Sequence, residues 1–187
     1  MMLINLNGWP GVGKLTVGRI LAARIGARLI INHAILDLAE AIADRGTDQF
    51  YDAVRAIRAT TFEQLARLPL NIPIILTNVV ASGGTGFLEE TWRAIIDLAR
   101  VRGSDLYSVI LECDSNELAE RIVSADRAAF NKVRDPALVA NAKSERNLCD
   151  AGATYHLTVD NTALPPEACA EQIATWLESL SGPPPPL

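Results

Sequence analysis

The chain is short of cations. Lysine and arginine together number 17 against 22 aspartates and glutamates, so the formal charge at neutral pH is −5. No cationic surplus exists to neutralise phosphates, and nucleic acid is not expected as the main partner. Cysteine is scarce too. Cys113, Cys149 and Cys169 are odd in number and lack metal-type spacing, which argues against a disulfide framework and suits free thiols in a reducing compartment. Long apolar runs are missing: none approaches the roughly 20 residues of a membrane span. The opening MMLINLNG carries no basic region and only a short apolar stretch, so no secretory signal is expected. There is no internal repeat. These features predict a cytoplasmic protein without a membrane partner; the sequence leaves its oligomeric state open between monomer and homodimer.

What is present suits one globular domain. The chain has 187 residues, 49% hydrophobic and 21% charged. The domain is expected over residues 1–181, with GPPPPL giving an extended or disordered Pro-rich tail at 182–187. Five short runs read as strands: residues 3–6, 28–31, 73–80, 106–111 and 155–159. Each is apolar almost throughout, as strands buried on both faces of a parallel sheet are. Helices are expected over 14–25, 33–44, 48–68, 87–102, 117–125, 136–148 and 166–180. Thr47 reads as an N-cap, and Asp114 with Glu117 as a capping box. Strand–helix alternation on this scale predicts an open α/β fold with right-handed crossovers, whose ligands bind beyond the carboxyl ends of the strands.

The stretch NLNGWPGVGKLTVGR begins as the end of the first strand and finishes as the start of the first helix. Gly8, Gly13 and Lys14 fit the phosphate-loop (P-loop, Walker A) pattern G-x-x-x-x-G-K-[ST]. Glycines let backbone N–H groups converge on an anion, the helix start adds orphan N–H groups and a positive dipole end, and lysine reaches the outer phosphates. Leu15 stands where the pattern asks for a hydroxyl, and Thr16 follows it.

GWPGVGKLT resembles the adenylate kinase form G-x-P-G-x-G-K-G-T, in which a threonine also comes one place late. Over nearly its whole length the chain resembles the small nucleoside and metabolite kinases of the P-loop NTPase superfamily: adenylate and cytidylate kinases, shikimate and gluconate kinases, chloramphenicol phosphotransferase. The resemblance implies a three-layer α/β/α domain on a five-stranded parallel sheet of order 2-3-1-4-5. It implies ATP and Mg²⁺, and transfer of the γ-phosphate to a small-molecule or nucleotide acceptor. Gly8, Pro10, Gly11, Val12, Gly13, Lys14, Leu15 and Thr16 would hold the nucleotide, with Thr16 on the metal side. LAERIVSADR, residues 118–127, resembles the adenylate kinase helix that runs into a lid, here expected at about 124–135. It implies Arg121 near the adenine and Arg127 near the transferring phosphates; Lys132 and Arg134 continue the positive run. Arginine forks suit phosphoryl transfer, which asks mainly for positioning and charge neutralisation. The loop of residues 160–164 would border the adenine through its backbone.

The acceptor side departs from the family. Shikimate and gluconate kinases place aspartate near the end of strand two, whereas this chain reads LIINH, with no carboxylate until Asp37. Three explanations stand. His33 is the base, since an unperturbed imidazole titrates near pH 6.5; Asp37 reaches the site; or the acceptor is already a phosphate and needs no base. Arg55 and Arg58 bear on the third, because residues three apart share a helix face and could grip an acceptor phosphate or carboxylate. Asn32 is a further acceptor-side candidate. So is Asn78, which stands where relatives carry a Walker-B aspartate. Glu89 and Glu90 open a helix, where its dipole favours them without chemistry. Trp9 is expected to pack beneath the loop, Trp92 and Trp176 to anchor the core, and His156 to be structural. The alternatives to a kinase are an ATP-binding or hydrolysing P-loop protein acting as a regulatory or partner-binding module, and a non-catalytic domain binding another anion.

Overall fold

Twelve of fourteen elements follow the predicted alternation in a computed structural model that describes residues 1–83, 86–123 and 135–180. The lid expectation, with Arg127, Lys132 and Arg134, and the Pro-rich tail fall outside the described residues. The strands are β1 (Met2–Asn7), β2 (Arg28–Ile31), β3 (Ile74–Thr77), β4 (Ala81–Ser82), β5 (Asp105–Glu112), β6 (Asn147–Leu148) and β7 (Tyr155–Asp160). The helices are α1 (Lys14–Ile25), α2 (Asn32–Glu40), α3 (Asp48–Ala66), α4 (Phe87–Arg102), α5 (Ser115–Val123), α6 (Pro136–Glu145) and α7 (Pro166–Leu180). Among the described residues no helix is long and apolar enough to cross a membrane.

Five strands form one parallel sheet in the order β2-β3-β1-β5-β7. Counting only these strands, that is the expected 2-3-1-4-5 order. Central β1 is apolar and buried because it has neighbours on both edges and helices on both faces. Ile4 and Leu6 point into the cluster shared with α1, α5 and α7, while Leu3 packs with Leu65, Trp92, Ile95 and Leu98 of α3 and α4. A third cluster of Ile35, Ala39, Phe50 and Val54 joins α2 to the first half of α3, with Phe87 packed against it.

Several boundaries differ from expectation. The third strand ends at Thr77 rather than residue 80. Asn78 turns its amide inward, and the chain then leaves the sheet to pair antiparallel as β4 with β6. Residues 147–148 therefore belong to a strand, and α6 stops at Glu145. Helix α2 begins one residue early, at Asn32, and ends at Glu40, four residues short of Asp44. Helix α3 ends at Ala66 and α5 runs Ser115–Val123. Thr47 does cap α3, accepting from the Phe50 N–H at 3.2 Å. Only half of the α5 capping box forms: Asp114 accepts from the Asn116 N–H, but Glu117 binds Arg121. Trp9 is buried, and Trp92 is too, its indole N–H donating to the Ala151 carbonyl at 2.9 Å.

Candidate active site

The loop between β1 and α1 leaves backbone donors unused. The backbone N–H groups of Gly11, Gly13, Leu15 and Thr16 donate to no acceptor among the described residues. Gly13 sits at the N-cap of α1 with φ 92° and supplies no side-chain cap. A helix start with free N–H groups and no cap is an anion site in waiting. Gly11 is required twice over: its φ is 101°, and a Cβ there would lie 2.8 Å from Ile122 and 2.9 Å from Leu118. Lys14 folds its ammonium back over the loop, donating to the carbonyls of Gly8 at 2.5 Å and Trp9 at 2.9 Å. Thr16 is exposed at the helix start, and Pro10 lies in the turn that Val12 closes by donating to the Trp9 carbonyl.

Buried amides hold this loop from both sides, and sequence reasoning missed them. Asn7 accepts from the Gly8 N–H at 2.9 Å and the Val80 N–H at 3.0 Å, and donates to the carbonyls of Val80 and Cys149. It ties the loop's first residue to the end of the β3 segment. Asn161, after β7, donates to the Val12 carbonyl at 2.7 Å and accepts from Arg121 at 3.0 Å. Arg121 also donates to the carbonyls of Asn161 and Thr162 and pairs with Glu117 at 2.7 Å. The guanidinium expected near the adenine thus braces the 160–164 loop. The only sequence signal for Asn161 was its place just past a strand. Asn78 is buried and donates to Asn5 at 2.8 Å, beneath the loop rather than beside it.

The α2 and α3 acceptor-side candidates sit on the two helices that the third core cluster joins. Asn32 and His33 open α2, directly after β2, and His33 Nδ1 lies 4.0 Å from Asp37 one turn on. Across the cluster, Arg55 and Arg58 sit on α3 with their guanidinium carbons 5.7 and 5.1 Å from the centroid of the Phe87 ring. They differ sharply otherwise. Arg55 is exposed, pairs with Glu90 through Nε at 2.8 and 3.1 Å, and reaches Asp52 at 2.9 Å. Those carboxylates hold its charge on, raising its pKa, with the Glu90 hydrogen bond the main cause. Arg58 is 5% exposed and makes no hydrogen bond or ion pair among the described residues. Burial lowers its pKa, and the nearby Glu90 charge partly offsets this. The opening acids of α4 are therefore engaged: Glu90 holds Arg55, and Glu89 accepts from the Gly83 N–H at 2.9 Å.

The residues fit a bound nucleotide and its metal. Free N–H groups and Lys14 suit a polyphosphate, and the exposed Thr16 hydroxyl suits a Mg²⁺ that keeps water and phosphate oxygens as its other ligands. Among the described residues no group of three or more His, Cys, Asp or Glu could hold a metal ion.

No family model matches the chain. It is 34% identical over 178 residues to a shikimate kinase of Thermobifida fusca, covering 94% of both proteins. It is 30% identical over 181 residues to a shikimate kinase of Paramagnetospirillum magneticum, covering 94% of this chain and 86% of that one. A sugar kinase of Janibacter has the same fold, with TM-score 0.64 at 17% identity and 95% of each chain covered.

Proposed function

We propose, for a chain that belongs to the shikimate kinase family of small P-loop kinases, that it moves the γ-phosphate of ATP to a hydroxyl of a small carboxylic acid. It is a kinase of the P-loop type; the acceptor class is our reading. Shikimate, which names its relatives, is the first acceptor to test. The observation that carries the reading is Arg58. A buried arginine whose guanidinium has no hydrogen-bond partner among the described residues is destabilising unless something else completes it. An acceptor carboxylate would do so as a bidentate partner. A phosphate-bearing acceptor is less favoured, because the second fork of the pair, Arg55, is already taken by Glu90 and Asp52.

The other roles follow from position. Lys14 and the free amides of Gly11, Gly13, Leu15 and Thr16 hold the phosphates of ATP, and Thr16 stands on the metal side. A bound Mg²⁺ supplies neutralisation of charge on the outer phosphates. His33, at the end of β2 with Asp37 beside its Nδ1, accepts the proton of the acceptor hydroxyl. Asn161 and Arg121 hold the loop that shapes the nucleotide end. Arg127 and Arg134 remain candidates for closing over the transferred group and the acceptor.

The test is ADP release with ATP and Mg²⁺ over a panel of shikimate, gluconate, neutral sugars and nucleoside monophosphates. The reading expects stimulation by a hydroxy acid, and a rise of at least tenfold in its KM in Arg58→Met. Stimulation confined to nucleotides or neutral sugars would overturn it.

A further inference from the structure

Two guanidinium groups over one aromatic ring, with opposite fates, form a charge filter. We propose that Glu90 is a specificity-determining residue: by holding Arg55 in a two-oxygen ion pair, it tunes the acceptor site to a singly charged anion and against a doubly charged one. The inference rests on the acceptor role of Arg58 proposed above.

The geometry sets out the charges. Arg55 and Arg58 lie over Phe87 at 5.7 and 5.1 Å. Arg55 Nε reaches both Glu90 oxygens, at 2.8 and 3.1 Å, while its Nη1 reaches Asp52 at 2.9 Å. Arg58 has neither carboxylate as a hydrogen-bond partner and is 5% exposed. Among the described residues, two cations and two carboxylates sum to zero around the ring, and the Arg58 fork is the one left to bind. One fork matches one carboxylate. A phosphate or phosphonate dianion calls for a second fork. Recruiting Arg55 would break its pair with Glu90 and leave that carboxylate facing a double negative charge. Glu90 thus acts twice against a dianion, by occupying Arg55 and by direct repulsion. It acts only once, and more weakly, against a monoanion.

The experiment compares matched probes: shikimate and an analogue carrying a phosphonate in place of its carboxylate, titrated calorimetrically in alkaline buffer where the phosphonate is a dianion. The wild-type protein should bind the carboxylate more tightly. Glu90→Gln, isosteric and partly exposed, should swing the affinity ratio toward the phosphonate by about tenfold, the effect of one unit charge at a partly exposed site. Adding Arg55→Met to Glu90→Gln should cancel most of that gain, because the released fork is what the dianion recruits. A ratio unmoved in Glu90→Gln, or a gain that persists in full without Arg55, overturns the charge filter. Arg58→Met is the separate control. If its loss leaves binding of both probes intact, the acceptor site itself is misplaced and the filter falls with it. If binding is lost but Glu90→Gln leaves the ratio unchanged, only the filter falls.

Discussion

Arg58 is poorly placed for stability, and the proposed function gives it a binding role instead. Its buried guanidinium makes no hydrogen bond among the described residues, so Met, of similar length and apolar, should leave the melting temperature unchanged or raise it. The same change should raise the acceptor KM at least tenfold, and thermal melts beside steady-state kinetics check both halves. A residue that stabilised the fold would show the opposite melting shift. Lys14 behaves differently. Lys14→Met removes the cation aimed at the phosphates and should cut kcat/KM by about a hundredfold or more with ATP, with little change in melting. Sequence reading found Lys14 because its spacing from the glycines is local. It placed Arg55 and Arg58 on one helix face but could not separate them: the partner that claims Arg55 is Glu90, 35 residues away. The buried amides Asn7 and Asn161 were illegible for the same reason, each acting on a loop that only the tertiary fold brings near.

At the level of elements, the P-loop depends on its neighbours. Helix α5 packs Leu118 and Ile122 against Gly11, and Arg121 passes the connection through Asn161 to the Val12 carbonyl. Asn161→Ala would leave that carbonyl and one Arg121 donor without their partner. We expect a loss of about 1–3 kcal/mol in denaturant unfolding, together with weaker ATP binding. Gly11→Ala should weaken binding and folding together, because the added carbon lies 2.8 Å from Ile122 Cγ1 and 2.9 Å from Leu118 Cδ1, both in buried side chains, while straining the backbone that presents free N–H groups. Titration with ATP and Mg²⁺ reads the loss of binding directly. The alternation of sheet strands and helices was legible, since buried parallel strands and amphipathic helices write different periods. The β4–β6 pair was not: two residues carry no period, and residues 147–148 look like the end of a helix until Ala81 and Ser82 come opposite.

Across the whole molecule, burial governs the thiols. Cys113 and Cys169 are buried and Cys149 partly so, and desolvation raises the pKa of all three. A raised pKa keeps the folded thiols protonated where the unfolded ones ionise. Stability should therefore fall as pH rises from about 8.5, the ordinary thiol value. Denaturant melts from neutral pH to about pH 10 test the sign, and a thiol reagent should reach Cys113 and Cys169 only on unfolding. Bulk composition anticipated free thiols but not their depth. The proposed function joins a polyphosphate seat at β1–α1 to acid binding at Arg58 of α3. Its most direct test is ADP release with ATP, Mg²⁺ and shikimate, in the wild-type protein and in Lys14→Met. Release should rise well above the basal rate with the hydroxy acid and fall by about a hundredfold or more in Lys14→Met. Release indifferent to every carboxylate acceptor, or undiminished in Lys14→Met, would contradict it.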